Sequence, residues 1–175
     1  MTDTPTIETE RLLLRAWREE DLDPYARMCA DPEVMRYIGS GRPLDRDEAW
    51  RQIAVFIGHW HLRGYGLWVL ESREDGSFIG RVGLWQPEGW PGLEIGWSLA
   101  RPYWGRGYAT EAGEASREFA WESVGAEDVI SLIQPENEAS RRVAERLGMH
   151  LDRRQLLGTD EVLVYRAVRP VTDRD

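Results

Sequence analysis

Gly105 and Gly107 stand two residues apart, directly ahead of Tyr108, Ala109, Thr110, Glu111 and Ala112, where a long helical pattern begins. Upstream, Leu93, Ile95, Trp97 and Leu99 alternate with Glu94, Gly96 and Ser98, the pattern of a strand with one buried face. Pro102 offers no ladder donor and disfavours helix in the residue before it, so the strand should stop near Ala100. Strand, glycine loop and helix start together suit an anion. The first amides of a helix are unpaired, the dipole adds about half a positive charge, and bare glycines let a phosphate reach the backbone. An ordinary tight turn gives the same pattern, and two phosphate signatures are absent. The chain has no lysine, which excludes GxxxxGKS/T, and Thr110 lies where GxGxxG needs its third glycine.

A second candidate is Asn137-Glu138-Ala139-Ser140. Taken by its residues alone it is a helix N-cap, with Asn137 accepting an amide hydrogen bond and Ser140 exposed at the third helical position. No Cys/His spacing resembles a metal site. Cys29 is the single cysteine, His59 and His61 fall on different faces of one helical pattern, and all three histidines suit surface or packing roles.

The elements that must position these residues follow from periodicity. Ile7 to Trp17 predicts a first strand, and Asp21 a cap for a short helix through about Cys29, with Pro24 tolerated in its first turn. Residues 31–43 read as a loop with the apolar anchors Val34, Met35, Tyr37 and Ile38. Asp45 and Glu48 form a capping box for a helix whose stripe is Ala49, Trp50, Ile53, Phe56, Ile57 and Trp60, expected in the core, with Gly64 and Gly66 at its end. Strands at 67–72 and 78–85 join through Asp75-Gly76, and the loop 86–92 leads to the central strand. Then come a helix from Tyr108 to about Val124, a buried strand at 128–133, a helix at 138–147 stopped by Gly148, and a hairpin of 149–157 with 161–168.

With 175 residues, 42% hydrophobic and 30% charged, the chain suits one ordinary globular domain, residues 1–175 with a core of about 7–169. No apolar run reaches membrane-spanning length and MTDTPTIETER lacks a signal-peptide pattern, so the expected location is the cytoplasm, with no membrane contact. A net charge of −9 argues against nucleic acid as a partner and favours a cationic one, although acidity also serves solubility alone.

The run WGRGYATEA resembles the acyl-CoA pyrophosphate loop of the GNAT superfamily of N-acetyltransferases, Arg/Gln-x-x-Gly-x-Gly/Ala, in the form typical of ribosomal-protein alanine N-acetyltransferases. Trp104 departs from the first position of that pattern. T-E-R-L-x-L-R near the start and NEASRRVAERLGM near the end resemble the same branch, and the element order is that of the GNAT fold. The resemblance implies an α/β (α+β) fold: a mixed, mostly antiparallel sheet of about seven strands flanked by about four helices and splayed at the cofactor. It implies acetyl-CoA as acyl donor and no metal.

By the same resemblance, backbone at Trp97, Ser98 and Leu99 pairs with pantetheine amides. The run Trp104, Gly105, Arg106, Gly107, Tyr108, Ala109 and Thr110 holds the pyrophosphate, and Asn137 bonds the pantetheine. Many relatives carry a tyrosine acid seven residues after the asparagine; here that position is Ala144, and in this branch Ser140 meets the thiolate instead. Tyr103 and Tyr108 are further candidate acids. Glu94 is the candidate general base, since partial burial would raise its pKa towards the working pH. The implied reaction is direct transfer to an amine in a ternary complex, the acceptor being the N-terminal amine of a ribosomal protein or another cationic peptide. A small aminoglycoside-like amine, a silent acyl-CoA sensor and a homodimer stay open. The acceptor is expected between residues 31–43, the helix containing Trp60, and residues 86–92.

Overall fold

A computed structural model describes residues 4–171 of the chain. One eight-stranded sheet organises it, in the order β1-β2-β3-β4-β5-β6-β8-β7. The strands are β1 (Ile7–Glu8), β2 (Leu12–Arg15), β3 (Leu67–Ser72), β4 (Phe78–Trp85), β5 (Glu94–Leu99), β6 (Asp128–Ile133), β7 (His150–Leu157) and β8 (Asp160–Val168). Every pairing is antiparallel except that of β5 with β6. Five α-helices accompany the sheet: α1 (Leu22–Cys29), α2 (Pro32–Met35), α3 (Arg46–Arg63), α4 (Tyr108–Phe119) and α5 (Glu138–Arg146). Among the described residues no helix is long and apolar enough to cross a membrane.

The extra strand and helix have local causes. The expected first strand breaks at Thr9, whose hydroxyl takes the Leu12 amide at 3.0 Å and folds Ile7–Glu8 back as an edge. Within residues 31–43, Asp31 accepts the Glu33 amide at 3.0 Å and caps a single turn that buries Val34 and Met35. Asp21 precedes α1 but does not cap it with its side chain. Its carboxylate instead holds the buried Arg15 guanidinium at 2.7 and 2.8 Å, and Glu71 takes Arg15 Nε at 2.5 Å. A buried cation demands such partners more strongly than a helix end does.

The capping box of α3 forms as expected, and Ala49, Ile53, Phe56 and Trp60 are buried. Trp50 and Ile57 are not core residues: they are 58% and 49% exposed, on a side of α3 that nothing covers. The core-facing stripe is narrower than the apolar positions suggest. Helices α1 to α3 cover one face of the sheet, around Trp17, Tyr25, Phe56, Leu67 and Val69. Helix α4 lies against β4 and β5, and α5 packs Ala144 and Leu147 with β6 and β8. The long helix narrows its regular part to end at Phe119, and a wider turn, Ala120–Val124, carries the chain to Gly125.

Candidate active site

The parallel pair β5–β6 is joined at one position, Glu94 opposite Ile130, and then opens. Ile130 donates to the Leu93 carbonyl at 2.8 Å, and beyond this single pair two side chains bridge the seam. Ser131 Oγ donates to the Ile95 carbonyl at 2.7 Å, and Leu132 N–H donates to Glu94 Oε1 at 3.3 Å. Splaying two strands orphans backbone groups, and these side chains satisfy them. The β5 edge beyond Glu94 is left unpaired on the β6 side.

Two lobes of about 400 Å³ each open from this seam. They share Tyr37, Ile38, Trp97, Asn137 and Ser140 as walls. Tyr37 hydroxyl donates to the Glu136 carbonyl at 3.3 Å, spanning from the α2–α3 connection to the β6–α5 connection.

The first lobe runs along β5 to the start of α4 and is lined by Trp97, Ser98, Leu99, Tyr103, Trp104, Gly105, Gly107, Tyr108, Ala109 and Thr110. Gly105 and Gly107 have φ of +73° and +83°, in the left-handed region where a side chain is strained. Gly107 is the residue before α4, so its bare, left-handed backbone sets the direction of the first helical amides. Trp104, the departure from the motif, donates its indole N–H to the Leu99 carbonyl at 2.8 Å and ties the loop to the strand end. That carbonyl is therefore engaged within the protein, and the expected Ser98 backbone contact does not fit, because Ser98 pairs with Arg81 in the β4 ladder; the open edge is carried by the Trp97 backbone and the Leu99 amide. Ser98 Oγ is buried with no partner. Arg106 does not line the lobe: its carbonyl accepts from Arg11 Nη1 at 2.9 Å, and its guanidinium lies over Tyr103.

At the seam, Asn137 Oδ1 accepts the Ser140 amide at 3.1 Å, so the N-cap forms as the local residues alone suggest. Ser140 Oγ accepts the Trp97 indole N–H at 3.3 Å, which leaves the hydroxyl proton available to a ligand. Tyr103 and Tyr108 line the first lobe only, whereas Ser140 borders both. Ala144 is fully buried in the core.

Glu94 lines the second lobe and is half-buried. Burial pushes its pKa up to about 7, opposed by hydrogen bonds from the Trp90 indole at 2.8 Å and from the Leu132 amide, and by the charge of Arg81. A carboxyl tuned to that range can take a proton and release it again near neutrality. The other walls come from Gln52 and Phe56 of α3, Arg81 and Trp85 of β4, Trp90, and Leu157, Asp160 and Val162 of the β7–β8 hairpin. Trp60 belongs elsewhere, against Trp68 and Phe119, so α3 meets this lobe with a different part of its length. His59 is a packing residue, stacked on Trp85 at 4.5 Å and bonded to the Tyr65 carbonyl and the Gln86 amide; burial lowers its pKa against the pull of those two bonds.

Residues 11–150 match the acetyltransferase (GNAT) domain family. The chain belongs to the GNAT acetyltransferases. An uncharacterized Bacillus subtilis protein, YkkB, is 32% identical, over 91% of this chain and 93% of its own. The crystal structure of an acetyltransferase from Agrobacterium tumefaciens superposes with a TM-score of 0.84 at 34% identity, covering 94% of this chain and 95% of that one. A ribosomal L7/L12 alpha-N-protein acetyltransferase, RimL, solved with coenzyme A, shares the fold at a TM-score of 0.78 and 18% identity, over 94% of this chain and 98% of that one.

GNAT enzymes use acetyl-CoA, and the first lobe fits that group: open strand edge, left-handed glycines ahead of a helix, and a rim of Arg36, Arg142 and Arg146. Those three arginines went unnoticed in the sequence because arginines are spread along the whole chain. Also unnoticed was the anchor beneath the GNAT loop. Glu111 accepts from Thr9 Oγ1 at 2.6 Å, from the Arg11 amide at 2.8 Å and from Arg11 Nε at 2.7 Å, while the Arg11 guanidinium lies 4.6 Å from the Tyr108 ring centre. Thr9 and Arg11 belong to the T-E-R motif and Glu111 to WGRGYATEA, so the two motifs are halves of one clamp. Their appearance together was the available signal.

Proposed function

We propose that the chain moves an acetyl group from acetyl-CoA to a primary amine by direct attack in a ternary complex. Acetyl-CoA supplies the acyl carbon as a thioester. The Trp97 backbone and the Leu99 amide face the pantetheine. Gly105 and the amides of Gly107 to Thr110 cradle the pyrophosphate, and the Asn137 carboxamide nitrogen contacts the pantetheine arm. Glu94 accepts the proton of the attacking amine. As the N–C bond forms and the C–S bond breaks, Ser140 donates its hydroxyl hydrogen bond to the departing sulfur. Holding both reactants at one seam supplies much of the acceleration.

The observation that carries this reading is Glu94 itself, a half-buried carboxyl on the wall of the second lobe where β5 and β6 part, held by Trp90 and Leu132 and pushed by burial to about 7. A surface strand residue would have an ordinary carboxylate pKa. Replacing Glu94 by Gln keeps the size and removes the base, so turnover near neutral pH should fall by roughly 10²–10⁴ and recover in part as pH rises and free amine accumulates. A pH–rate profile parallel to wild type, at nearly the wild-type rate, would remove Glu94 from the mechanism. A sensor that binds CoA and acetylates no amine would defeat the enzymatic reading altogether.

A further inference from the structure

Two arginines on the α1–α3 face of the sheet, Arg15 buried and Arg81 partly buried, are treated very differently. Arg15 is enclosed by Asp21 and Glu71. Arg81 lies in the middle of β4, with Val69 and Ser98 as its neighbours on the flanking strands. Its guanidinium sits 5.2 Å from the Phe56 ring centre, and its buried Nε has no hydrogen-bond partner. Among the described residues no carboxylate forms an ion pair with it, although its charge reaches Glu94. An arginine in an aromatic wall without an anion is costly, because desolvating the cation is repaid only by a counter-charge.

Its surroundings show what is missing. The cross-strand neighbour, Ser98, which lines the first lobe, also has a buried hydroxyl oxygen with no partner among the described residues. Gln52 uses its carboxamide oxygen to accept the Tyr25 hydroxyl at 2.6 Å, so its NH₂ side remains to donate. Arg81 and Gln52 both line the second lobe, and Glu94 lines it farther along β5. Between Ser98 and Glu94 the strand carries Gly96, where an added Cβ would meet nothing within 4 Å, so the floor between cation and base is clear. Phe56, Trp85 and Trp90 wall the space.

We infer that the acceptor carries a carboxylate that pairs with Arg81, with Gln52 as a second donor, so the substrate is a small amine with its own carboxylate, in the manner of an amino acid. The guanidinium fork matches a carboxylate in two parallel hydrogen bonds and fixes the skeleton with its amine towards Glu94. Glu94 and Asp160 also line this lobe and suit the amine end, but neither pairs with Arg81, so an acceptor without a carboxylate of its own would leave the guanidinium without an anion. This rests on the reading of the second lobe as the acceptor site, and it names the chemical class that lobe selects.

The test compares free amino acids, including ω-amino acids with longer spacers, with their carboxamides, and with peptides ending in a free amine. With acetyl-CoA and wild-type protein, some acid should exceed its own carboxamide by roughly 10–100-fold in kcat/KM, the scale of a charge-assisted pair. Arg81→Gln should remove most of that preference by raising the acid's KM, with CoA affinity unchanged, and Arg81→Lys should restore part of it. Equal use of acids and carboxamides, or best use of peptides, overturns the inference, as does equal loss for both in Arg81→Gln when thermal melting shows an intact fold. If no amine is acetylated, the proposed reaction fails separately, and calorimetry of acid against carboxamide with CoA present then decides: tighter binding of an acid, lost in Arg81→Gln, supports the carboxylate site, and no such difference rejects it.

Discussion

The two lobes that meet at Trp97 and Ser140 are built in opposite ways. The proposed donor lobe relies on backbone along one side, a strand edge, two left-handed glycines and the first amides of α4, all within residues 97–110, with Arg36, Arg142 and Arg146 on its rim. The proposed acceptor lobe draws its walls from side chains of α3, β4, the 86–92 connection and the β7–β8 hairpin. Backbone reads a shape that every acyl-CoA shares, whereas side chains can change without disturbing the ladder. One half of the cleft is thereby committed to a single donor and the other is free to vary with the acceptor.

The strongest challenge to this contrast is Gly107→Val. A β-branched residue at φ +83° is strained by ~1–3 kcal/mol, and relaxing that strain turns the helix amides away from the lobe. CoA affinity by calorimetry should fall roughly 10–100-fold, while the KM of a good acceptor measured at saturating acetyl-CoA stays near wild type. Equal losses on both sides would show that the lobes are one mechanical unit.

Ser140→Ala tests the seam. Loss of a hydrogen bond made to developing charge should lower kcat roughly tenfold at all pH values, with the acceptor KM spared. A fall confined to one limb of the pH profile would mean that Ser140 works through Glu94.

The smallest effect is expected from Trp90→Phe, which acts in the acceptor lobe alone. Trp90 donates to Glu94 and so holds its pKa down against burial. Without that bond the pKa rises further, and the ascending limb of kcat/KM should move to higher pH by up to ~1 unit. No movement would mean that water replaces the indole. A shift to lower pH would contradict the assignment of the limb to Glu94.

The same contrast explains what could be read from the residues alone. The glycine loop, the alternation of 93–99 and the Asn137 cap are local, and each is fixed by neighbours within a few positions. The bounds of β3, β4, β6 and α3 followed from periodicity for the same reason. Glu94 could be nominated, but its tuning depends on Trp90 and on Leu132, an amide 38 residues away that is free only because the sheet splits. Arg81 looked like any of the chain's arginines, because nothing local reveals that its face of β4 turns under α3. Trp50 and Ile57 were misassigned to the core because spacing shows that a stripe exists but not how much of it finds a partner. Asp21 resembled a cap until the buried Arg15 competed for it.

The clamp between Thr9, Arg11 and Glu111 joins positions 102 and 100 apart in the chain. During synthesis the first hairpin emerges long before the loop it steadies, and the loop acquires its final form only when the two meet. Tags, leaders or trimming at the N-terminus thus act at a distance. Any that lift Ile7–Arg11 off the sheet edge would leave the core standing and appear in the assay as a weak-cofactor enzyme, with the altered residues nowhere near the cofactor.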